Sequence, residues 1–437
     1  MIQMQFYSLN NHSVKANFEE ATLTGQAPDK GLYFPESIPQ LSEAFIKNIQ
    51  EYPKEEIALA VIRPYAGECI PEIELRKIIS ATINFDFPLV KLKEAIYSLE
   101  LFHGPTLAFK DVGARFMSRC LGYFVRNRDS KTVVLVATSG DTGGAVADGF
   151  LDVEGIEVLI LYPSGKVSRV QESQLTTSGK NISALEINGT FDDCQKLVKQ
   201  AFADQELNRE ISLTSANSIN IARWLPQQFY YFFAYSQWQD KNNPPVISVP
   251  SGNFGNLCAG LLARFSGLPI KHFIAACNAN NIVPNFLENG RYQPKQAVPT
   301  LSNAMDVGDP SNFVRILELF DQELKSLKSV VNSYSVSDKE TKDTIKKVYT
   351  DYHYLLDPHG AVGYFALNKY LKTFSDQKGI FLETAHPLKF YDVVEPIIGK
   401  AIPVPATMEA VLNKTKYSVR LAANYEVFKN YLLDGFR

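Results

Sequence analysis

Twice in this chain a run of consecutive apolar residues ends in a glycine-rich loop that opens a helix. Thr132-Val-Val-Leu-Val-Ala137 leads into Thr138-Ser-Gly-Asp-Thr-Gly-Gly144 and then into Ala145, Val146, Ala147 and Phe150. Pro245-Val-Ile-Ser-Val249 leads into Pro250-Ser-Gly-Asn-Phe-Gly-Asn256 and a helix over Leu257 to Phe265. A strand without polar alternation suits a sheet covered on both faces, which means parallel strands with helical crossovers. Val158 to Tyr162, Ile182 to Ile187, Ile211 to Thr214 and Ile380 to Glu383 read as further strands, with a helix over Asp192 to Phe202. The fold class is α/β, built on parallel sheets.

At 437 residues the chain can form roughly two or three domains with cores of their own. Residues 1–90 read as a mixed, mostly helical domain: Gly31-Leu-Tyr-Phe-Pro35 is extended, and Leu41 to Ile49 and Glu72 to Ile79 have helical spacing. The remainder divides into a large α/β domain, 91–130 with 226–437, and a small α/β domain, 131–225. Phe229-Tyr-Tyr-Phe-Phe233 reads as core, and the charged residues between Glu323 and Lys347 as solvated helix faces.

Several function classes are disfavoured. A net charge of −3 argues against a nucleic-acid partner held mainly by charge. No apolar run reaches the roughly eighteen residues of a membrane span, and the stretch from Met1 to Ser8 lacks the features of a signal peptide. Cys69, Cys120, Cys194, Cys258 and Cys277 are scattered and form no CxxC, as expected of buried thiols in a reducing compartment, so the expected location is the cytoplasm. The histidines show no HxxxH or HExxH spacing, so no metal site is expected.

The candidate reactive residue is Lys110, in Leu101-Phe-His-Gly-Pro-Thr-Leu-Ala-Phe-Lys-Asp-Val-Gly-Ala-Arg-Phe116. Asp111 is a plausible N-cap, and Val112, Phe116, Cys120 and Phe124 then recur every fourth residue, which buries one face of a helix. A lysine at such a helix mouth is made less basic by apolar neighbours and by the helix dipole. An amine so prepared forms Schiff bases with carbonyl compounds. The competing reading is an ordinary lysine whose stem lies on apolar surface while its amine reaches water.

Each glycine-rich loop is either a tight strand-to-helix connection or an anion site made by N–H groups at a helix start. Neither has GxGxxG, and Gly165-Lys166 lacks the upstream glycine of a P-loop, since position 160 is Ile160. Two such loops beside a candidate Schiff-base lysine favour an organic cofactor with a carbonyl and an anionic tail, and pyridoxal phosphate has both. Thr214-Ser-Ala-Asn-Ser-Ile-Asn-Ile-Ala-Arg223 is either a capped helix start or a second anion site, in which Asn217, Ser218 and Asn220 offer hydrogen bonds and Arg223 a planar fork.

The segments His103 to Asp111, Ala137-Thr-Ser-Gly-Asp-Thr-Gly143, Ser215-Ala-Asn-Ser-Ile-Asn220, Pro250-Ser-Gly-Asn-Phe-Gly255 and Thr384-Ala-His-Pro387, in this order, resemble the threonine synthases of bacterial and fungal type. Gly31 to Pro35 and Leu301-Ser-Asn-Ala-Met-Asp306 resemble the same family, so the likeness covers nearly the whole chain. It implies a fold-type II pyridoxal-phosphate enzyme with two three-layer parallel-sheet domains, acting on O-phospho-L-homoserine and water to give L-threonine and phosphate. It also implies roles. Lys110 holds the cofactor covalently and moves the Cα and Cβ protons. The loop Ser251, Gly252, Asn253, Phe254, Gly255 and Asn256 holds the cofactor phosphate, with Asn256 where many relatives have aspartate. Asp141 lies at the pyridoxal hydroxyl and Thr384 at the pyridine nitrogen. Ser139 and Thr142 lie near the substrate carboxylate. Asn217, Ser218 and Arg223 bind the substrate phosphate, with Lys166 a further candidate.

His359, in Asp357-Pro-His-Gly360, reads as a turn residue or a wall of the site. Two other functions stay open: a threonine or serine dehydratase or phospho-lyase of the same fold type, and a non-catalytic sensor of phosphorylated amino acids. Monomer and homodimer are both compatible with the sequence.

Overall fold

The computed structural model describes residues 4–128 and 131–436, so the outermost residues of the expected domain spans and the pair at 129–130 lie outside it. The described residues form three sheets. The six-stranded sheet runs in the order 331–335, 272–277, 246–250, 379–383, 96–100, 89–93; it is parallel except for the last strand, which pairs antiparallel with its neighbour. The five-stranded sheet, 419–422, 182–188, 156–163, 132–137, 212–215, is parallel throughout. A small antiparallel sheet of Phe6–Ser8, Lys15–Ala16 and Tyr33–Pro35 accompanies helices Phe18–Thr24, Glu43–Lys47, Lys54–Ala66 and Glu72–Thr82 in the amino-terminal part.

The unbroken apolar runs became the inner strands. Thr132–Ala137 and Val246–Pro250 are buried at every position, each side chain covered by a helix on one face or the other. The last strand and helix depart from the expected division: Val419–Ala422 pairs with Leu185–Asn188, and Phe428 and Leu432 of Tyr425–Phe436 enter the core cluster around Leu185 and Leu197. The end of the chain thus completes the small sheet instead of lying wholly with the large one. Val331–Ser335 is likewise a strand within a stretch read as helix faces. Its half-exposed alternation at a sheet edge leaves few apolar residues to mark it. No helix among the described residues is long and apolar enough to cross a membrane.

This topology decides where a ligand can sit. The loops beginning at Leu101, Thr138, Ala216, Ser251 and Thr384 all leave the carboxyl ends of parallel strands, where open α/β sheets bind ligands. The two large sheets are brought together by the helices Lys110–Val125 and Asp141–Phe150. Gly149 packs so closely there that a Cβ on it would lie 3.1 Å from the Ala114 backbone.

Candidate active site

Lys110 opens its helix, but Asp111 is not the cap. Phe109 occupies that position with no side-chain cap bond. Asp111 is buried inside the first turn, where its carboxylate accepts the Thr106 backbone N–H at 3.0 Å and the Thr106 hydroxyl. Two donors from the preceding loop outweigh the local capping preference. Burial raises the Asp111 carboxyl to about 6, against the lowering effect of those bonds.

Backbone bonds clamp the lysine beside Thr384. Phe109 N–H donates to the Thr384 carbonyl at 2.9 Å and His386 N–H to that of Leu107 at 3.0 Å, around an Ala108–Ala385 bridge. Tyr230 donates its hydroxyl to the Phe109 carbonyl. Lys110 Nζ ends 4.0 Å from Asp141 Oδ2 and 5.2 Å from the centre of the Phe109 ring. Burial lowers the basicity of this amine; Asp141 opposes the shift, and Lys389 and Arg223 add to it. The lysine expected from sequence to be reactive is therefore enclosed and less basic than usual.

Asp141 follows Gly140, whose φ of 139° is open to glycine alone, and begins the helix Asp141–Phe150. Thr138 Oγ1 accepts the N–H groups of Gly140 and Gly143, each at 2.9 Å, and so folds the loop back on the strand. Ser139 and Thr142 stand half-buried at its rim. Asp141 Oδ1 accepts Lys389 Nζ at 3.0 Å and Gln171 Nε2 at 3.0 Å. Burial pushes this carboxyl up, but Lys389, then Lys110 and the Gln171 bond, prevail and hold it well below the usual carboxylate range.

In the second loop the side chains are already engaged. Ser251 donates its hydroxyl to the Val249 carbonyl at 2.8 Å, and Asn256 donates Nδ2 to that of Pro250 at 2.7 Å and accepts Leu257 N–H at 2.9 Å. What the loop presents is backbone: Phe254 adopts φ 63°, and the N–H groups of Gly255 and Asn256 have no partner within the helix they open. A Cβ on Gly252 would lie 2.7 Å from Met305 Cα, so that residue is small because the chain behind it leaves no room.

The third loop is fastened to the second. Asn253 Oδ1 accepts Ser311 N–H at 2.7 Å, which turns its amide nitrogen onto Ser218 Oγ at 2.9 Å. Asn312 Oδ1 accepts Arg315 Nη1 at 2.7 Å, and its own amide nitrogen reaches the same hydroxyl at 3.1 Å. Ser218 Oγ therefore accepts twice, and its proton is directed to some third partner. Arg315, fully buried, also holds the Ser218 and Ile219 carbonyls at 3.2 and 2.7 Å and ties them to Tyr33 in the amino-terminal sheet.

Arg223 lies on the short helix Ile221–Trp224, against the first turn of the Lys110 helix; a Cβ on Gly113 would lie 3.3 Å from its Nε. The side chain is buried, its Nε and Nη1 have no hydrogen-bond partner, and burial lowers its pKa to about 10. A buried guanidinium with donors unpaired is costly, even with the Asp111 carboxyl nearby, and an anionic ligand is the usual resolution. Asn217 is half-buried on the same loop, whereas Lys166 stands exposed on the turn after Ile156–Pro163.

Lys389 is not assigned from sequence, and His359 is read there as a turn residue or a wall of the site. Lys389 is fully buried; its only local signal was a charged residue within the apolar run Leu388-Lys-Phe-Tyr391. His359 lies buried in the first turn of Pro358–Thr373, with Nδ1 on Asp357 Oδ1 at 2.5 Å and Nε2 unpartnered.

Residues 85–382 match the family model described as pyridoxal-phosphate dependent enzyme, flanked by matches to the threonine synthase N terminus over 5–83 and the threonine synthase C-terminal region over 360–432. The chain is 46% identical over 433 residues to the threonine synthase of Haemophilus influenzae, covering 99% of this chain and 100% of that one. The chain belongs to the threonine synthase family. Among solved threonine synthases, that of Escherichia coli superposes with a TM-score of 0.92 at 40% identity, and the pyridoxal-phosphate-bound one of Brucella melitensis with 0.92 at 34%; each match covers 99% of this chain and 100% of the other. As a threonine synthase family member the chain is a fold-type II enzyme that uses pyridoxal phosphate. The residues present suit that group: an enclosed amine of lowered basicity for its carbonyl, and a helix start with free N–H groups for its phosphate.

Proposed function

We propose that this enzyme converts O-phospho-L-homoserine and water into L-threonine and phosphate, with the residues above in specific roles. Lys110 binds the cofactor and is the base that takes the Cα proton and then one at Cβ; protons return to Cγ, which becomes the methyl group, and to Cα as threonine forms. Bound pyridoxal phosphate supplies the electron sink for these steps. The Ser251 to Asn256 loop holds the cofactor phosphate through backbone N–H groups, Asp141 faces the ring hydroxyl, and Thr384 faces the pyridine nitrogen. A neutral hydroxyl at that nitrogen tempers the sink, which suits controlled elimination and replacement.

Ser139 and Thr142 orient the substrate carboxylate. Arg223, with Asn217 and the Ser218 hydroxyl, binds the phosphate ester, stabilises it as it leaves Cγ, and keeps it beside Cβ while water adds there. Lys166, exposed on its turn, serves the same anion only as it approaches. The expected location is the cytoplasm.

The observation that carries the reading is Arg223, a buried cation whose Nε and Nη1 lack partners. It stands near enough to Lys110 to lower that amine's basicity. A dehydratase acting on free threonine or serine has no anion to place there. The test is a product assay with O-phosphohomoserine and pyridoxal phosphate. Equal phosphate and threonine, both abolished in Lys110→Ala, is the expected result; phosphate with 2-oxobutyrate identifies a lyase instead, and no product from this substrate refutes the assignment.

A further inference from the structure

Lys389 has no part in the roles above, yet it is among the most completely satisfied groups in the molecule. Its Nζ is fully buried and has three protons to donate. It meets three acceptors: Asp141 Oδ1 at 3.0 Å, the Thr106 carbonyl at 2.8 Å and Gln174 Oε1 at 3.0 Å. Gln174 is itself fixed, since its Nε2 donates to the same Thr106 carbonyl at 3.0 Å. Such an amine is not free to swing towards a substrate, so it is no second nucleophile.

Its acceptors explain its place. The Thr106 carbonyl belongs to the loop that leads into Lys110, and the residue's own N–H and hydroxyl are held by Asp111. Lys389 therefore bridges the lysine loop and the Asp141 loop. Asp141 Oδ1 is fully occupied by Lys389 and Gln171, while Oδ2 is left towards Lys110 at 4.0 Å.

We propose that Lys389 is a positioning residue of the active site: it pins Asp141 Oδ1 so that Oδ2 is presented to Lys110 and to the ring hydroxyl of the cofactor. The proposal rests on the placement of Asp141 at that hydroxyl. When Lys110 is engaged by the cofactor, Lys389 is the cation that stays with Asp141 and takes no part in the chemistry. It offsets the repulsion between the carboxylate and an oxygen that is itself acidic. The other titratable groups near these three residues are Arg223, Asp357, His359, Asp111 and His386. None of them bonds to Oδ1.

The test is a pH titration of the visible absorbance of the bound cofactor in substrate-free holoenzyme. Removing a cation makes neighbouring groups more basic, so Lys389→Met moves the midpoint upward by about one pH unit or more, while Lys389→Arg stays near wild type. Should Lys389→Met fail to fold because Asp141 is left unpaired, Asp141→Asn is compared with Asp141→Asn/Lys389→Met, which removes both charges. The double variant then titrates at higher pH than Asp141→Asn alone. A bound chromophore whose midpoint is the same with and without the Lys389 charge overturns the proposal but leaves the cofactor assignment standing. A wild-type protein with no lysine-bound chromophore overturns both.

Discussion

Arg223→Met separates function from stability in opposite directions. In the folded protein the guanidinium is buried, its Nε and Nη1 unpartnered and its pKa pulled down to about 10 by burial. Each charge-assisted hydrogen bond to a substrate phosphate contributes about 1.5–3 kcal/mol. Two of them amount to roughly 3–6 kcal/mol, or about 10²- to 10⁴-fold in kcat/KM for O-phosphohomoserine. Without ligand, the same change removes an unpaired buried charge and keeps most of the apolar stem, so urea unfolding should show a variant equal to wild type or up to about 2 kcal/mol more stable. In the holoenzyme, where the cofactor phosphate fills the Ser251–Asn256 loop, inorganic phosphate should raise the Tm of wild type and leave that of Arg223→Met unmoved, because only a site that binds the anion couples it to folding. A variant that unfolds several kcal/mol more easily yet keeps kcat/KM would refute the argument, since Arg223 would then be a structural residue with partners of its own.

Asp111 supplies a pH signature. Its folded-state carboxyl, raised to about 6, binds a proton that the unfolded chain has already released near its ordinary value of ~3.9. Its contribution to stability is thus complete below about pH 4 and is lost as pH rises to about 6. Asp111→Asn should gain about 1–3 kcal/mol on wild type between pH 4.5 and pH 7 in urea unfolding; an unchanged difference counts against the buried, proton-binding carboxyl. Gly252→Ala places a methyl 2.7 Å from Met305 Cα and should displace the loop, costing about 1–3 kcal/mol and weakening cofactor binding in equilibrium dialysis. Asn312→Ala frees one acceptor site on Ser218 Oγ, lets its proton turn from the anion, and should lower kcat/KM about tenfold with kcat less affected.

What was legible from sequence follows from how local each signal is. Thr132–Ala137 was found to the residue because six buried positions in a row leave a pattern that needs no knowledge of neighbours. The Lys110 helix was found for the same reason, but its first turn was misread, because Asp111 is held by Thr106 and not by its own helix start. The Asp141 and Gly255 loops lay in sequence beside the strands that present them. Lys389 was not found: its ion pair joins positions far apart in the chain, and the one local signal, a charge within an apolar run, does not say what the lysine meets. The closing strand Val419–Ala422 escaped for a related reason, since four mostly exposed residues gain their meaning only from pairing with Leu185–Asn188.

Two lysines flank Asp141, and in the roles proposed above the cofactor sits on only one of them. The direct test is to reduce the holoenzyme with borohydride, digest it, and locate the pyridoxyl group by mass spectrometry. The group on Lys110, with none on Lys389, is the predicted result. Modification of Lys389, or of any lysine outside the Lys110 peptide, would contradict the assignment of Lys110 as the covalent anchor and proton carrier of the site.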